Sequence, residues 1–281
     1  MTLSGKSTRW AALVSYDGSQ YHGFSVQPHG IKTVGGALTS ALSVVFQSQI
    51  ELVVAGRTDK GVHAVGQVVT FDAGMPKSDR LLKSLNRLLP SSVRVHEVVE
   101  VEESFSARFS AKYRCYLFRV SKVGSVSPFL DNRTWQVDKV LNVKRMCNAS
   151  GSLIGSHDFK AFCKSGGSDG RPTRRMLFGV EIIESIEFVD IVLWSNSFCH
   201  QMVRSIVSLL VDIGTGRYPG VVIHQAIVSG NRSILHSVAP PGGLYLFGVG
   251  YEPFDAEVKR VWLERINSWS FSGPSWTVGR V

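Results

Sequence analysis

The chain has 281 residues, of which 44% are hydrophobic and 19% charged, as expected for a globular protein of one large or two modest domains. Its 31 lysine and arginine residues against 22 acidic ones give a net charge of +9, which favours a polyanionic partner such as a nucleic acid. The sequence has neither a secretory signal nor a run long enough to span a membrane, so we expect a cytoplasmic protein without membrane association.

Hydrophobic periodicity in the first half of the chain predicts a β-α-β-β-α-β order of elements. The predicted strands are 10–16, 51–55, 65–71 and 93–101, and the predicted helices are 34–46 and 78–88. Pro90 ends the second helix, because proline disrupts a helix interior. This order is the split unit of ferredoxin-like domains.

The second half repeats the order of elements without repeating the sequence. The predicted strands are 113–121, 177–186, 188–195 and 243–251, and the predicted helices are 143–154 and 198–213. We therefore expect an α+β fold of two ferredoxin-like halves, residues 1–105 and 106–252, which form a mixed, mostly antiparallel sheet with helices on one side and a central cleft. Residues 253–281 form a tail with a predicted helix at 258–266, and the tail carries Trp262, Trp269 and Trp276.

The four cysteines give no sign of a metal site or of a disulfide framework. They are widely scattered, and none forms a C-x-x-C pair; they are Cys115, Cys147, Cys163 and Cys199. Cys199 and His200 are adjacent, which is poor spacing for two ligands of one metal. We expect Cys199 to be a buried free thiol.

Residues 53–64 place one carboxylate, Asp59, on a short loop between two apolar strands. Arg57 and Lys60 flank it, and loops held on a rigid scaffold often carry catalytic groups. The residues alone leave open an ordinary hairpin turn, since Asp, Lys and Gly are common turn residues. A turn, however, does not require Arg57, Thr58 and His63 around the acid.

Residues 106–118 interleave basic and aromatic side chains. Strand alternation puts four of them on one face, namely Lys112, Arg114, Tyr116 and Phe118. Such a face can stack on bases and bind phosphates, and it can equally be the solvated side of a half-buried strand. The Gly-rich and Ser-rich loop 165–172, followed by Arg174 and Arg175, is predicted to be a mobile basic flap, with a plain linker as the alternative.

Five motifs in order resemble the tRNA pseudouridine synthase A family, and the resemblance covers residues 10–251. They are Tyr16-Asp17-Gly18-x-x-Tyr21-x-Gly23, Gly56-Arg57-Thr58-Asp59-Lys60-Gly61-Val62-His63-Ala64 with Gly66-Gln67, Arg114-x-Tyr116-x-Phe118, Phe198-x-x-x-Met202-Val203-Arg204, and Ala239-Pro240-x-x-Gly243-Leu244. The sequence departs from the family at Phe24-Ser25-Val26-Gln27, where Trp-Gln-x-Gln is typical, and at Gly35, where glutamine is usual.

The resemblance implies a pseudouridine synthase fold, a homodimer, and conversion of uridine to pseudouridine at positions 38, 39 and 40 of the tRNA anticodon arm without cofactor or metal. It implies that Asp59 is the nucleophile, that Tyr116 stacks on the uracil and acts as a base, and that Arg204 keeps Asp59 ionised. From the residues alone, Arg204 would be a plain surface arginine. Arg57 is expected to fill the space that the base leaves.

Further tRNA contacts are expected from Lys112, Arg114, Arg174 and Arg175. One alternative is a non-catalytic RNA-binding protein of paired ferredoxin-like domains, which would have no use for Asp59 and Arg204 together. Another is a metal-dependent hydrolase that uses His63, His157 and His200, but these histidines lack the spacing of metal ligands.

Overall fold

The computed structural model of the chain describes residues 7–74, 78–122, 127–164, 170, 172–274 and 276–278, with backbone alone for 78 and 79. It consists of two compact units. The first unit is Met1–Lys112 with Leu246–Val281, and the second is Tyr113–Tyr245. The predicted division at residues 105 and 106, with a separate tail from 253, stays a prediction.

The first unit begins with the β-α-β-β-α-β order that the periodicity predicts. Its elements in chain order are β1 (Thr8–Tyr16), α1 (Val34–Phe46), β2 (Val53–Val54), β3 (His63–Ala73), α2 (Ser78–Leu88) and β4 (Val93–Glu100). Strand β1 lies between β4 and β3 and is antiparallel to both, while β2 pairs with β3.

The helices of the first unit form because apolar residues recur at helical spacing, and α1 also has a polar cap. The Thr33 side chain accepts a hydrogen bond from the backbone of Gly36 and so caps α1. Leu38 and Leu42 are buried on one face of α1, and Leu81 is buried on α2. Helix α2 packs on β4 and on α1, so this unit has its own apolar core.

The second unit shows the first five elements of this order, β-α-β-β-α, with additional short elements, and the sixth, the strand Leu244–Gly250, lies mostly in the first unit. Its elements are β5 (Tyr113–Ser121), β6 (Trp135–Gln136), α3 (Val143–Ser150), β7 (Gly155–Asp158), β8 (Arg174–Glu184), β9 (Phe188–Ser195), α4 (Met202–Gly214) and α5 (Val222–Ser229). The strand order is β5-β9-β8-β7 with antiparallel neighbours, and β6 pairs with β5 in parallel. The α+β class and the mostly antiparallel strand pairing are therefore confirmed.

The last two elements are β10 (Leu244–Gly250) and α6 (Ala256–Asn267). Three tryptophans after β10 surround Phe247, at ring-centroid distances of 6.1 Å for Trp262, 5.5 Å for Trp269 and 5.4 Å for Trp276. Aromatic rings at these separations and tilts attract one another beyond simple burial. The tail thus forms part of the core of the first unit.

Several elements differ from their predicted bounds, by up to four residues at one end. Helix α4 begins at Met202 rather than at residue 198, since Gln201 adopts a left-handed φ of 64°. Arg174 and Arg175 lie in β8, opposite Asp158 and His157, and not in a loop. Most of the predicted flap, residues 165–169 and 171, lies outside the described residues.

The prediction of a free thiol at Cys199 is wrong, because Cys199 forms a disulfide bond with Cys163. Their Cα atoms are 5.6 Å apart, a usual separation for a disulfide. Cys115 and Cys147 are free. The two bonded residues are 36 positions apart, so only the tertiary fold brings them together.

Within the described part of the chain, none of the helices combines the length and the apolar character that crossing a membrane requires.

Candidate active site

Asp59 lies in the loop between β2 and β3, where exposed and buried residues alternate. Arg57 is exposed, Thr58 is buried, and Asp59 is partly exposed. The loop closes at Gly61, which has a φ of 77°, and the backbone N–H of Val62 donates to the carbonyl of Asp59 at 3.1 Å. The buried Thr58 therefore anchors the loop, while the side chains of Arg57 and Asp59 on either side of Thr58 can reach a ligand.

The side chain of Gln67 on β3 binds both backbone groups of Gly56, near the start of this loop. The Gln67 side chain accepts from the N–H of Gly56 at 3.3 Å and donates to the carbonyl of Gly56 at 2.6 Å. Gln67 is completely buried, and a buried amide is stable only when its polar atoms are paired. Both backbone groups of Gly56 are thus fixed two residues before the buried Thr58.

A chain of buried hydroxyl groups continues from Gln67 to Thr58. The Gln67 amide donates to the Tyr16 oxygen at 3.3 Å, and the Tyr16 and Thr58 hydroxyls share a hydrogen bond of 2.8 Å. Burial raises the pKa of Tyr16 to about 12, so its hydroxyl stays protonated near neutral pH. The network ties the residue that precedes Asp59 to both β1 and β3.

The segment after β1 contacts the same loop backbone to backbone. The N–H of Phe24 donates to the carbonyl of Thr58 at 3.1 Å, and a Cβ atom on Gly23 would lie 2.7 Å from that carbonyl oxygen. A Cβ atom on Gly18 would overlap the carbonyl of Val62. Both positions need glycine, because two backbones approach too closely for any side chain.

The buried His63 contacts the partly exposed Asp17 at the end of the loop. The His63 Nδ1 atom lies 3.1 Å from the N–H of Gly18 and 3.3 Å from the Asp17 carboxylate. Hydrogen bonding to His63, with a smaller contribution from Ser19, lowers the pKa of Asp17 well below its usual range. His63 is 2% exposed and therefore positions this segment from inside the protein.

Tyr116 lies on β5 in the second unit. It is 8% exposed, and its ring meets that of Phe198 edge to face at a centroid distance of 5.1 Å. The contact fixes the plane of the tyrosine ring against the loop that precedes α4.

Arg204 lies in the first turns of α4 and connects this helix to the segment before β10. Its Nε atom donates to the carbonyl of Ala239 at 2.6 Å, and the N–H of Ala239 donates to the carbonyl of Arg204 at 3.2 Å. Two of the sequence motifs, around Arg204 and around Ala239, are thus joined within the second unit. This pairing holds the Arg204 side chain in place along its length.

The expected tRNA contacts differ in exposure. Lys112 and Arg174 are exposed, whereas Arg114 is buried and donates to the carbonyl of Asn196 at 2.8 Å. Arg175 donates to the carbonyls of Pro172 and Arg174, both at 2.7 Å, and burial lowers its pKa. Lys112 and Arg174 therefore combine charge with the most open surface.

The metal-dependent alternative finds no support in the geometry. Among the described residues, no three His, Cys, Asp or Glu side chains come together as metal ligands. His157 instead contacts the carbonyl of Ile154 at 2.9 Å.

Sequence reasoning missed Tyr16 and Gln67 as residues that support the site. A signal was present for Gln67, which is polar in an otherwise apolar run, Val65-Gly66-Gln67-Val68-Val69. The partner of such a residue comes from another element, so the sequence could indicate a buried polar contact but not its place.

The chain was compared with known protein families and proteins. The sequence pattern of the family described as "tRNA pseudouridine synthase" matches residues 12–110 and 149–252. The "tRNA pseudouridine synthase A 2" of a Bacillus cereus strain is 33% identical over 239 residues, which cover 85% of this chain and 97% of that protein. The "tRNA pseudouridine synthase A" of Paraburkholderia phymatum is 37% identical over 245 residues, covering 87% of this chain and 91% of that protein.

A search of solved structures gives a weaker likeness. The crystal structure of a Cbf5-Nop10-Gar1 complex matches 72% of this chain at 9% identity, with a TM-score of 0.34. The match spans 45% of that chain.

Proposed function

Because the chain belongs to the tRNA pseudouridine synthase family, we propose that it isomerises uridine to pseudouridine at positions 38, 39 and 40 of the tRNA anticodon arm. The observation that carries the proposal is the partly exposed carboxylate of Asp59. The preceding residue of the loop, Thr58, is tied to two strands through buried hydrogen bonds. A reacting group held in this way loses little freedom when it meets its substrate.

The reaction needs a nucleophile and a proton acceptor, and it consumes no co-reactant. The bond between N1 of uracil and C1′ breaks, a bond between C5 and C1′ forms, C5 loses a proton and N1 gains one. We assign the nucleophile to Asp59 and the final proton acceptor to Tyr116. The product is an isomer of the substrate, so the proposed reaction consumes no co-reactant, and the absence of a cofactor or metal is part of the proposal because the family resemblance implies it.

Arg57 and Arg204 complete the proposed site. The target base must leave its stack, which costs a few kcal/mol, and the exposed Arg57 side chain is suited to fill the vacated space. We assign to the Arg204 guanidinium the role of keeping Asp59 ionised, because a nearby positive charge favours a carboxylate.

The proposed substrate contacts are Lys112, Arg114, Arg174 and Arg175, which meet the phosphates and sugars of the folded arm. Nothing in the chain resembles a code for base edges, so shape and phosphate recognition would dominate. The proposal includes a homodimer that acts on tRNA in the cytoplasm, as expected from the family.

The test replaces Asp59→Asn and measures release of tritium from C5-labelled uridine in tRNA. We expect this release to be abolished with tRNA affinity within about threefold of wild type, because the amide keeps shape but cannot act as the nucleophile. Asp72→Asn, which removes another exposed carboxylate of the same unit, should leave the release unchanged.

Near-normal turnover by Asp59→Asn would overturn the assignment and favour the RNA-binding alternative. Mapping of pseudouridine across total tRNA tests the positions. Modification confined to another arm would contradict the anticodon-arm assignment.

A further inference from the structure

Phe109, in the turn just before β5, exposes a large aromatic ring. The residue is 79% exposed, although phenylalanine is normally found inside a protein. The guanidinium carbon of Arg108 lies 5.2 Å from the centre of the ring, within the range of a cation–π contact. The guanidinium lies over the ring, so the surface presents an exposed aromatic ring together with a positive charge.

The turn that carries this pair is fixed to the core of the first unit. The backbone N–H of Ala107, which is fully buried, donates to the Thr70 hydroxyl on β3 at 3.3 Å. The Tyr251 hydroxyl donates to the carbonyl of Ala107 at 3.0 Å. Within the turn, the N–H of Ser110 donates to the carbonyl of Ser106 at 3.0 Å. The ring is thus exposed from an ordered turn, and a ligand would find it already in position.

From this arrangement we infer that Phe109 and Arg108 form a stacking platform for an unpaired nucleobase of the substrate RNA. The inference rests on the proposed function, and it adds a contact to that function. Every nucleobase has a π face that can stack on an aromatic ring, and the phosphate of the same nucleotide can meet the guanidinium. One nucleotide satisfies both groups.

The platform binds a nucleotide other than the one that reacts. Ala107 is bonded to Thr70, which lies seven residues along β3 from His63. At a rise of about 3.3 Å per residue, this places the turn about 23 Å along the strand from the end that joins the Asp59 loop. Phe109 therefore contributes to holding the RNA and not to the chemical step.

The test compares Phe109→Ala with Phe129→Ala. Phe129 is 84% exposed, its sequence neighbours are Pro128 and Leu130, and Arg133 donates to its backbone carbonyl at 3.1 Å. We expect Phe109→Ala to weaken tRNA binding about tenfold, since one stacked base contributes on this scale. The rate at saturating tRNA and the thermal unfolding midpoint should not change. Phe109→Trp should restore binding, and Phe129→Ala should bind as wild type.

Three outcomes would overturn the platform. One is wild-type affinity in Phe109→Ala, and another is an equal loss in Phe129→Ala. The third is dissociation of a dimer in sedimentation of Phe109→Ala without RNA, which would make the ring a contact between two copies of the chain. A different result would overturn the proposed function, namely the absence of pseudouridine formation by the unsubstituted protein. Loss of tRNA binding in Phe109→Ala supports the platform whether or not the unsubstituted protein forms pseudouridine.

Discussion

The hydroxyl of Tyr16 is held between Gln67 and Thr58, one residue before the proposed nucleophile. Tyr16→Phe keeps the ring but leaves the Thr58 and Gln67 groups without this partner. We expect the single-turnover rate of pseudouridine formation to fall about tenfold or more, because a small displacement of a reacting group is costly. Affinity for tRNA should stay within about twofold, since the contacts with RNA are untouched.

Tyr21→Phe is the matched control for this prediction. Its side chain is also buried, and its hydroxyl forms one part-buried hydrogen bond with Ser92 at 2.8 Å, so this variant loses one buried tyrosine hydroxyl from the same unit. Each should lower the free energy of unfolding by about 1–2 kcal/mol. A similar loss of rate in both variants would show that Tyr16 acts only through stability.

The residues of the site were predictable where the signal is local. Asp59 and Arg57 stand together in one short loop between apolar strands, and the structure leaves both at least partly exposed. Tyr16 and Gln67 were not predictable as partners, because they are 51 positions apart and meet only through the pairing of β1 with β3. The sequence contains the donor and the acceptor but not the register that joins them.

Among the elements, long periodic segments were predicted well and their ends less well. Helix α1 and strands β5 and β9 have the predicted bounds, because each shows an uninterrupted apolar pattern. Helix α5 was missed, since it is short and its apolar residues do not share one face: Val222 and Ile223 are buried, whereas Val228 is 71% exposed. The true start of α4 depends on the backbone conformation of Gln201, a residue type that gives no warning of a left-handed φ.

The disulfide between Cys163 and Cys199 joins a 3₁₀ turn, Lys160–Phe162, to the loop before α4. Because it closes a loop across 36 positions, we expect its loss in Cys163→Ser to lower the free energy of unfolding by about 3–4 kcal/mol. Urea unfolding of both proteins measures this difference. Added reductant should destabilise the wild type and leave Cys163→Ser unchanged.

Alkylation in denaturant provides the direct control. Without reductant, intact mass should show labels on Cys115 and Cys147 alone, and after reduction on all four cysteines. Four labels before reduction would contradict the bond. Under the proposed cytoplasmic conditions the cellular thiols would set the fraction that is bonded.

For the whole molecule, the net charge of +9 predicts binding that weakens steeply with salt. The logarithm of the tRNA affinity should fall linearly with the logarithm of salt concentration, because bound phosphates release counterions. Arg174→Glu reverses an exposed charge at the start of β8. We expect it to flatten the slope by about 0.7–0.9, the value for one phosphate contact, in a filter-binding series.

Arg80→Glu makes the same change in total charge at an exposed position in the first turn of α2. An acid is favourable at a helix start, so this variant should fold normally. Its slope should equal that of the wild type. If both variants flatten the slope equally, net charge alone acts and Arg174 makes no phosphate contact.

The first unit is interrupted in sequence, since the chain leaves it after Lys112 and returns at Leu246. A side chain on Gly66, next to Gln67, would collide with the ring of Trp276, so the tail packs directly on the strand that supports the Asp59 loop. A ribosome adding about 5–20 residues per second needs roughly 10–30 s to go from Lys112 to Trp276. During synthesis, the half of the protein that carries the nucleophile therefore begins first and is completed last.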